Sequence, residues 1–215
     1  MPRQFTGLEA DRIRANLERI RGEIADAGRD PAEVEILAAV KYVPLDEMGT
    51  LAAAGIDLVG ENRAQELEDK ASRFSGFRWH FIGQLQSRKV KQILPHATLI
   101  HSVASESALT QLGKHAAPET EILLEVNVAG EAEKAGIAPE ELPRYLELSP
   151  VTVVGLMTMP PYADDPEASR PHFARLRELA AAHGLTQLSM GTSQDFAVAA
   201  AEGATIVRIG TTLYT

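Results

Sequence analysis

EILAAVKYVP, residues 35–44, is the stretch whose reading decides the fold. Ile36, Leu37, Ala38, Ala39 and Val40 form an apolar run without alternation. Such a run belongs to a strand covered on both faces, as in parallel sheets. Lys41 then sets a charge where the strand leaves the core. Upstream, Thr6 and Glu9 have the spacing of a capping box, Ile13, Leu17, Ile20 and Ile24 follow at helical spacing, and Gly28 can end that helix. Downstream, Pro44 can open a helix that buries Leu45, Met48 and Leu51 and stops at Gly55.

The same alternation runs to the end of the chain. Strands are expected at IDLVG (56–60), FRWHFIG (77–83), ATLIHSV (97–103), EILLEVNV (121–128), VTVVGLMTM (151–159), QLSMG (187–191) and ATIVRIGT (204–211). Helices fall between them: from Glu61, around Leu85, Val90 and Ile93, from Ser105, over 139–148 and 166–183, and from a Ser193 cap to near Gly203. Eight strands, each preceded by a helix, predict an α/β protein with parallel pairing, a single (β/α)8 TIM barrel over residues 1–215 with an extra N-terminal helix. A doubly wound open sheet is the rival, but no GxGxxG follows the first strand.

Composition narrows the class. The chain has 215 residues, 45% hydrophobic and 24% charged, enough for one sizeable core in a soluble globular protein. A formal net charge of −9 argues against a general nucleic-acid binder. The absence of cysteine excludes disulfides and thiolate metal ligands. MPRQFTGLEADRIR lacks the apolar core of a signal peptide, and no run approaches the ~18 apolar residues of a membrane span. The expectation is a cytoplasmic protein without nucleic-acid or membrane partners.

In a barrel of this type the active site lies at the carboxyl ends of the strands. Lys41 closes the first. Partly desolvated there and near other cations, it would have a lowered pKa and act as a nucleophilic amine in Schiff-base chemistry. Taken alone, it reads better as a lysine whose ammonium reaches the rim. SMGTS (189–193) and RIGTT (208–212) end strands seven and eight with hydroxyls and glycines, where such barrels bind phosphate. Ser193 serves equally as a helix cap. Arg208 lies among Ile206, Val207 and Ile209 and needs a partner, either a buried carboxylate or a ligand at the mouth. An amine, an anion cradle and an inward arginine suit an aldehyde that carries phosphate: pyridoxal phosphate or a sugar phosphate. His80 and His101 read better as hydrogen-bonded core histidines than as site groups, and SRKVK as a solvated helix face. PPYADDPEASRP (160–171) is a polar loop at the same mouth.

These residues sit in motifs that resemble the pyridoxal phosphate homeostasis protein family: AAVKYVP, GENRAQE, WHFIGQLQSRKVK, IHSVAS, EVNVAGEAEKAGI, VVGLMTMPP, LSMGTSQDF and AEGATIVRIGT, in family order from about residue 36 to 211. The resemblance implies the barrel of the alanine racemase N-terminal domain. It also implies pyridoxal 5'-phosphate held as a Schiff base on Lys41. Phosphate contacts would come from Ser189 or Gly191 through Ser193 and from Gly210 and Thr211. Arg208 would face the pyridine nitrogen, and Asn62 the cofactor's edge. Three positions depart from the family pattern: Thr192 replaces a common methionine, and Gln84 and Arg88 stand where histidine and asparagine are frequent.

Two classes of function compete. One is a vitamin B6 carrier or buffer in pyridoxal phosphate homeostasis, with pyridoxal-phosphate-dependent apoenzymes as transient acceptors and, by the resemblance, mainly a monomer. The other is an enzyme, an amino-acid racemase or a Schiff-base aldolase. An arginine donating to the pyridine nitrogen leaves it unprotonated and weakens the ring as an electron sink. Racemases of similar fold recruit a tyrosine from a second domain, and these 215 residues are spent on the barrel. No acid/base group near Lys41 stands out beyond Tyr42 and His80. The carrier reading is favoured, with no catalytic residue assigned and no metal expected.

Overall fold

The computed structural model describes residues 4–131 and 134–215. Of EVNVAGEAEKAGI, residues 132–133 lie outside the described ones, as do residues 1–3 of the amino-terminal stretch. The strands are β1 Glu35–Ala39, β2 Leu58–Glu61, β3 Arg78–Phe81, β4 Leu99–Val103, β5 Glu121–Glu125, β6 Thr152–Met157, β7 Gln187–Thr192 and β8 Ile206–Ile209. The helices are α1 Ala10–Asp26, α2 Met48–Ala53, α3 Ala64–Arg73, α4 Val90–Ile93, α5 Glu106–His115, α6 Leu142–Leu148, α7 Arg170–Ala182, α8 Phe196–Ala201 and α9 Thr211–Tyr214.

Every strand pairs in parallel with its successor, and β1 pairs with β8 through Glu35↔Ile206 to Ala38↔Ile209, closing the barrel. The expected (β/α)8 architecture is the one observed. A closed sheet has no edge, so no backbone polar group is left for another chain. Strand faces alternate between the barrel interior and the helix layer. Leu37, Leu58, Leu99, Leu123, Met157 and Ile206 form an apolar interior cluster. A larger cluster, with Ile13, Ile20, Val59, Leu112 and Phe173, packs helices against the outside of the sheet. Two residues beyond Leu99, Leu123 and Ile206 on the same faces come His101, Glu125 and Arg208. The interior therefore turns from apolar to polar toward the carboxyl mouth.

Three local expectations are corrected. The Thr6–Glu9 capping box does not form: Glu9 is the N-cap of α1 and makes no side-chain cap bond. The Glu47 carboxylate accepts instead from Gly7 N–H at 2.5 Å and Leu8 N–H at 3.2 Å, a tertiary partner displacing a local one. Glu61 does not begin a helix but ends β2, opposite Phe81, and α3 starts at Ala64. Ser193 does not cap α8, whose N-cap is Asp195. Among the described residues no helix is long and apolar enough to cross a membrane.

Candidate functional site

A cavity of about 630 Å³ opens at the carboxyl ends of the strands. Its lining includes Lys41, Asn62, Ser193, Arg208, Gly210 and Thr211, six of the eight residues expected from the sequence. A second cavity, of about 410 Å³, lies at the opposite rim near Glu35, Asp57 and Arg78. Those charges are already paired, Arg78 with Glu35 at 2.7 Å and with Asp57 at 3.1 Å. The carboxyl-end cavity is the candidate site, where barrels of this kind carry their chemistry.

Lys41 lies two residues beyond β1, in a turn closed by the Val43 N–H donating to the Val40 carbonyl at 3.0 Å. The side chain is exposed rather than desolvated, with Nζ 5.2 Å from the centroid of the Tyr42 ring. Asn62 follows β2, and its Oδ1 is buried without a hydrogen-bond partner. Gly83, beyond β3, lets the two strand ends meet there: a Cβ on it would lie 2.1 Å from the Asn62 carbonyl oxygen. An orphaned buried oxygen on a cavity wall fits a ligand that brings a donor.

The loops after β7 and β8 are tied together by Ser193. Its Oγ accepts from Gly210 N–H at 3.0 Å and Thr212 N–H at 3.3 Å, and its carbonyl accepts from the Thr212 hydroxyl at 3.1 Å. Asp195 turns the first loop by accepting from Thr192 N–H at 2.7 Å. Small residues on both loops leave their backbone close to the cavity, as an anion cradle needs. Gly191 has a packing part in the fold. Its φ of +90° and a would-be Cβ 2.5 Å from Ala199 Cβ show that it is needed for the turn and for packing α8, and it does not line the cavity.

Ser189 is likewise off the cavity, fully buried in the barrel interior. Its hydroxyl accepts from Arg208 Nη1 at 2.6 Å and lies 2.8 Å from His101 Nδ1. His101 Nε2 is in turn 2.9 Å from His80 Nδ1. The arrangement that uses every group has the serine hydrogen on the His101 Nδ1 side and His101 donating from Nε2 to His80. Both rings are thus the hydrogen-bonded core histidines expected. Burial lowers the His80 pKa to about 4, and burial also holds His101 well below the usual histidine range.

Arg208 finds no carboxylate partner within ion-pair distance among the described residues, so the buried-pair alternative is not the one observed. It donates to the carbonyls of Ser189 at 2.8 Å and Thr158 at 2.9 Å, and lies 2.9 Å from the Met159 sulfur. These neutral acceptors fix its plane without a direct ion pair. Burial draws its pKa down to about 10, against the pull of Glu125 and Asp195.

Glu125 is the site residue that the sequence reading missed. It lines the cavity, is 7% exposed, and its carboxylate has no hydrogen-bond or ion-pair partner among the described residues. Burial raises its pKa, with Arg208 opposing. The strand EILLE carried the signal, since a glutamate two residues after Leu123 shares its inward face. His80, which the sequence offered as an acid/base candidate, does not line the cavity.

Comparisons with known proteins agree with this geometry. Residues 8–215 match the family model of the alanine racemase N-terminal domain. A protein of Aquifex aeolicus named pyridoxal phosphate homeostasis protein is 42% identical over 219 residues, covering 95% of this chain and 96% of that one. PipY of Synechococcus elongatus PCC7942, solved with PLP bound, superposes with a TM-score of 0.79 at 32% identity, covering 94% of this chain and all of PipY. Alanine racemase from Corynebacterium glutamicum shares the fold at 17% identity, with a TM-score of 0.74, covering 96% of this chain and 61% of that one. By its barrel, its cavity and these relatives alike, the chain belongs to the pyridoxal phosphate homeostasis protein family.

Proposed function

We propose that this chain binds pyridoxal 5'-phosphate through Lys41 and acts as a carrier or buffer of the cofactor in the cytoplasm. The observation that carries the reading is the shared cavity: an exposed amine at the end of β1, a two-loop cradle after β7 and β8, and Arg208 between them. When bound, the cofactor supplies an aldehyde for reversible attachment to an amine. Lys41 provides that amine. The loops joined by Ser193 present Gly210 and Thr211 to the phosphate. Arg208, held in plane by Ser189 and Thr158, would offer its Nε–H, which has no hydrogen-bond partner among the described residues, to the ring nitrogen. Asn62 Oδ1, buried without a partner, would accept from a donor on the ring edge.

The carrier reading rests on the arginine and on the names of the relatives. A guanidinium donating to the ring nitrogen keeps that nitrogen unprotonated and disfavours carbanion chemistry. Apoenzymes that need the cofactor are the transient acceptors in this reading, and the carrier itself works as a monomer. The test is a purified, cofactor-loaded sample. We expect near-visible absorption, a single lysine labelled on borohydride reduction, and Lys41 as that lysine by mass spectrometry. Lys41→Ala should keep the fold and lose both signals. Full absorption and label in that variant would refute the assignment.

A further inference from the structure

We infer that the buried Glu61–Lys70 pair is a positioning device for Lys41 and Asn62. The inference rests on the proposed function and adds two residues that touch neither ligand nor cavity. Lys70 is 3% exposed and Glu61 0%. Lys70 Nζ donates to Glu61 Oε2 at 2.7 Å and to the Val40 carbonyl at 2.8 Å, with Glu66 Oε2 at 3.6 Å. The other oxygen, Glu61 Oε1, accepts from Asn62 N–H at 2.7 Å. One ion pair thus grips the residue before Lys41 and the backbone of Asn62.

The Val40 carbonyl has two donors. Val43 N–H closes the turn that carries Lys41, and Lys70 braces the same oxygen from α3. The remaining local bonds are Val40 N–H to the Gly60 carbonyl at 2.9 Å and Phe5 N–H to the Tyr42 carbonyl at 2.9 Å. Without Lys70 the turn would hang on its own single closing bond, the Val40 N–H bond to Gly60 and the amino-terminal segment. The Lys41 side chain is exposed, so its place in the cavity is set more by this turn than by side-chain packing.

Stability alone is a poor reason for the pair. Desolvating two charges costs about as much as their attraction returns, and apolar residues of similar size in place of a buried pair are often neutral for folding. What such residues cannot do is hold a carbonyl and an amide at two adjacent strand ends.

The test compares the wild-type chain with Glu61→Leu/Lys70→Met, which removes both charges together. Three quantities are read: the melting midpoint, amide hydrogen exchange over residues 40–43 in the ligand-free protein, and the affinities for pyridoxal phosphate and pyridoxine phosphate. The second compound keeps ring and phosphate but has an alcohol in place of the aldehyde, so the ratio of affinities reports how well Lys41 is placed. We expect at most a small fall in the midpoint, from the Asn62 N–H losing its acceptor, together with faster exchange over 40–43 and a fall in that ratio of roughly tenfold or more. An unchanged ratio with unchanged exchange would overturn the inference. Failure of the wild type itself to prefer pyridoxal phosphate would instead count against the proposed function, and exchange would then decide the inference alone. Should the double variant not fold, Glu61→Gln, which surrenders one of the two accepting oxygens, is read in the same way.

Discussion

The buried histidine pair makes the fold sensitive to acid, and the size of the effect follows from its geometry. His80 is held neutral in the folded barrel, where burial lowers its pKa from 6.5 to about 4. The unfolded chain takes up that proton near the ordinary value. Between these two values the unfolded state binds more protons, so stability is fully present above about pH 6.5 and falls as the pH drops toward 4. At about pH 5 the loss from His80 alone is about 2 kcal/mol, and over the whole window about 3 kcal/mol. His101, deeper and lowered further, adds in the same direction. Glu125 works against them, since burial raises its pKa and the folded form gains its proton first. The comparison that isolates the effect is His80→Gln against wild type, by urea unfolding followed by circular dichroism at about pH 7.5 and 5. The variant will be less stable at both values, because the bond to His101 is disturbed. Its loss between the two should nonetheless be smaller than that of the wild type by about 2 kcal/mol. Equal losses in the two proteins would refute the reasoning, because His80 would then not be a neutral buried base.

Other outcomes follow from the cavity. Thr211→Glu should cripple pyridoxal phosphate binding by bringing a negative charge to the cradle, and pyridoxal without phosphate should bind the wild type far more weakly; equal affinity for the two would remove the cradle. Amino acids incubated with the loaded protein in heavy water should gain no deuterium at Cα beyond what free pyridoxal phosphate produces. Because Glu125 lines the same cavity as Lys41, the Glu125→Gln and Lys41→Ala variants belong in that measurement. Exchange above the free-cofactor rate that both variants abolish would make this an enzyme with two proton-handling groups.

The barrel could be read before any coordinates because the features that produce it are local. Unbroken apolar strands such as 36–40, glycines at helix ends and helical spacing in 13–24 each follow from chain geometry over a few residues. Strand ends shifted by up to a few residues, as at β2, since terminal pairing depends on neighbours. The placement of single positions at the mouth was also legible: Lys41 after an apolar strand, Ser193, Gly210 and Thr211 after strands seven and eight, and Arg208 inside the last strand.

Contacts between distant segments were not legible. Ser189 and Gly191 read, with the SMGTS run and the family motif, as part of the cradle, but their contacts across the barrel were not legible: the inward turn of β7 brings the serine to Arg208 and packs the glycine on α8. Glu61 looked like a helix start, and only the approach of α3 makes it the buried partner of Lys70. The Thr6–Glu9 box lost to Glu47, some forty residues away. The EILLE pattern put Glu125 on an inward face, but only closure of the barrel brought β5 to the same cavity as Lys41. Periodicity reports which face a side chain is on, whereas its partner across the barrel is set by register and closure, which join residues that the sequence keeps far apart.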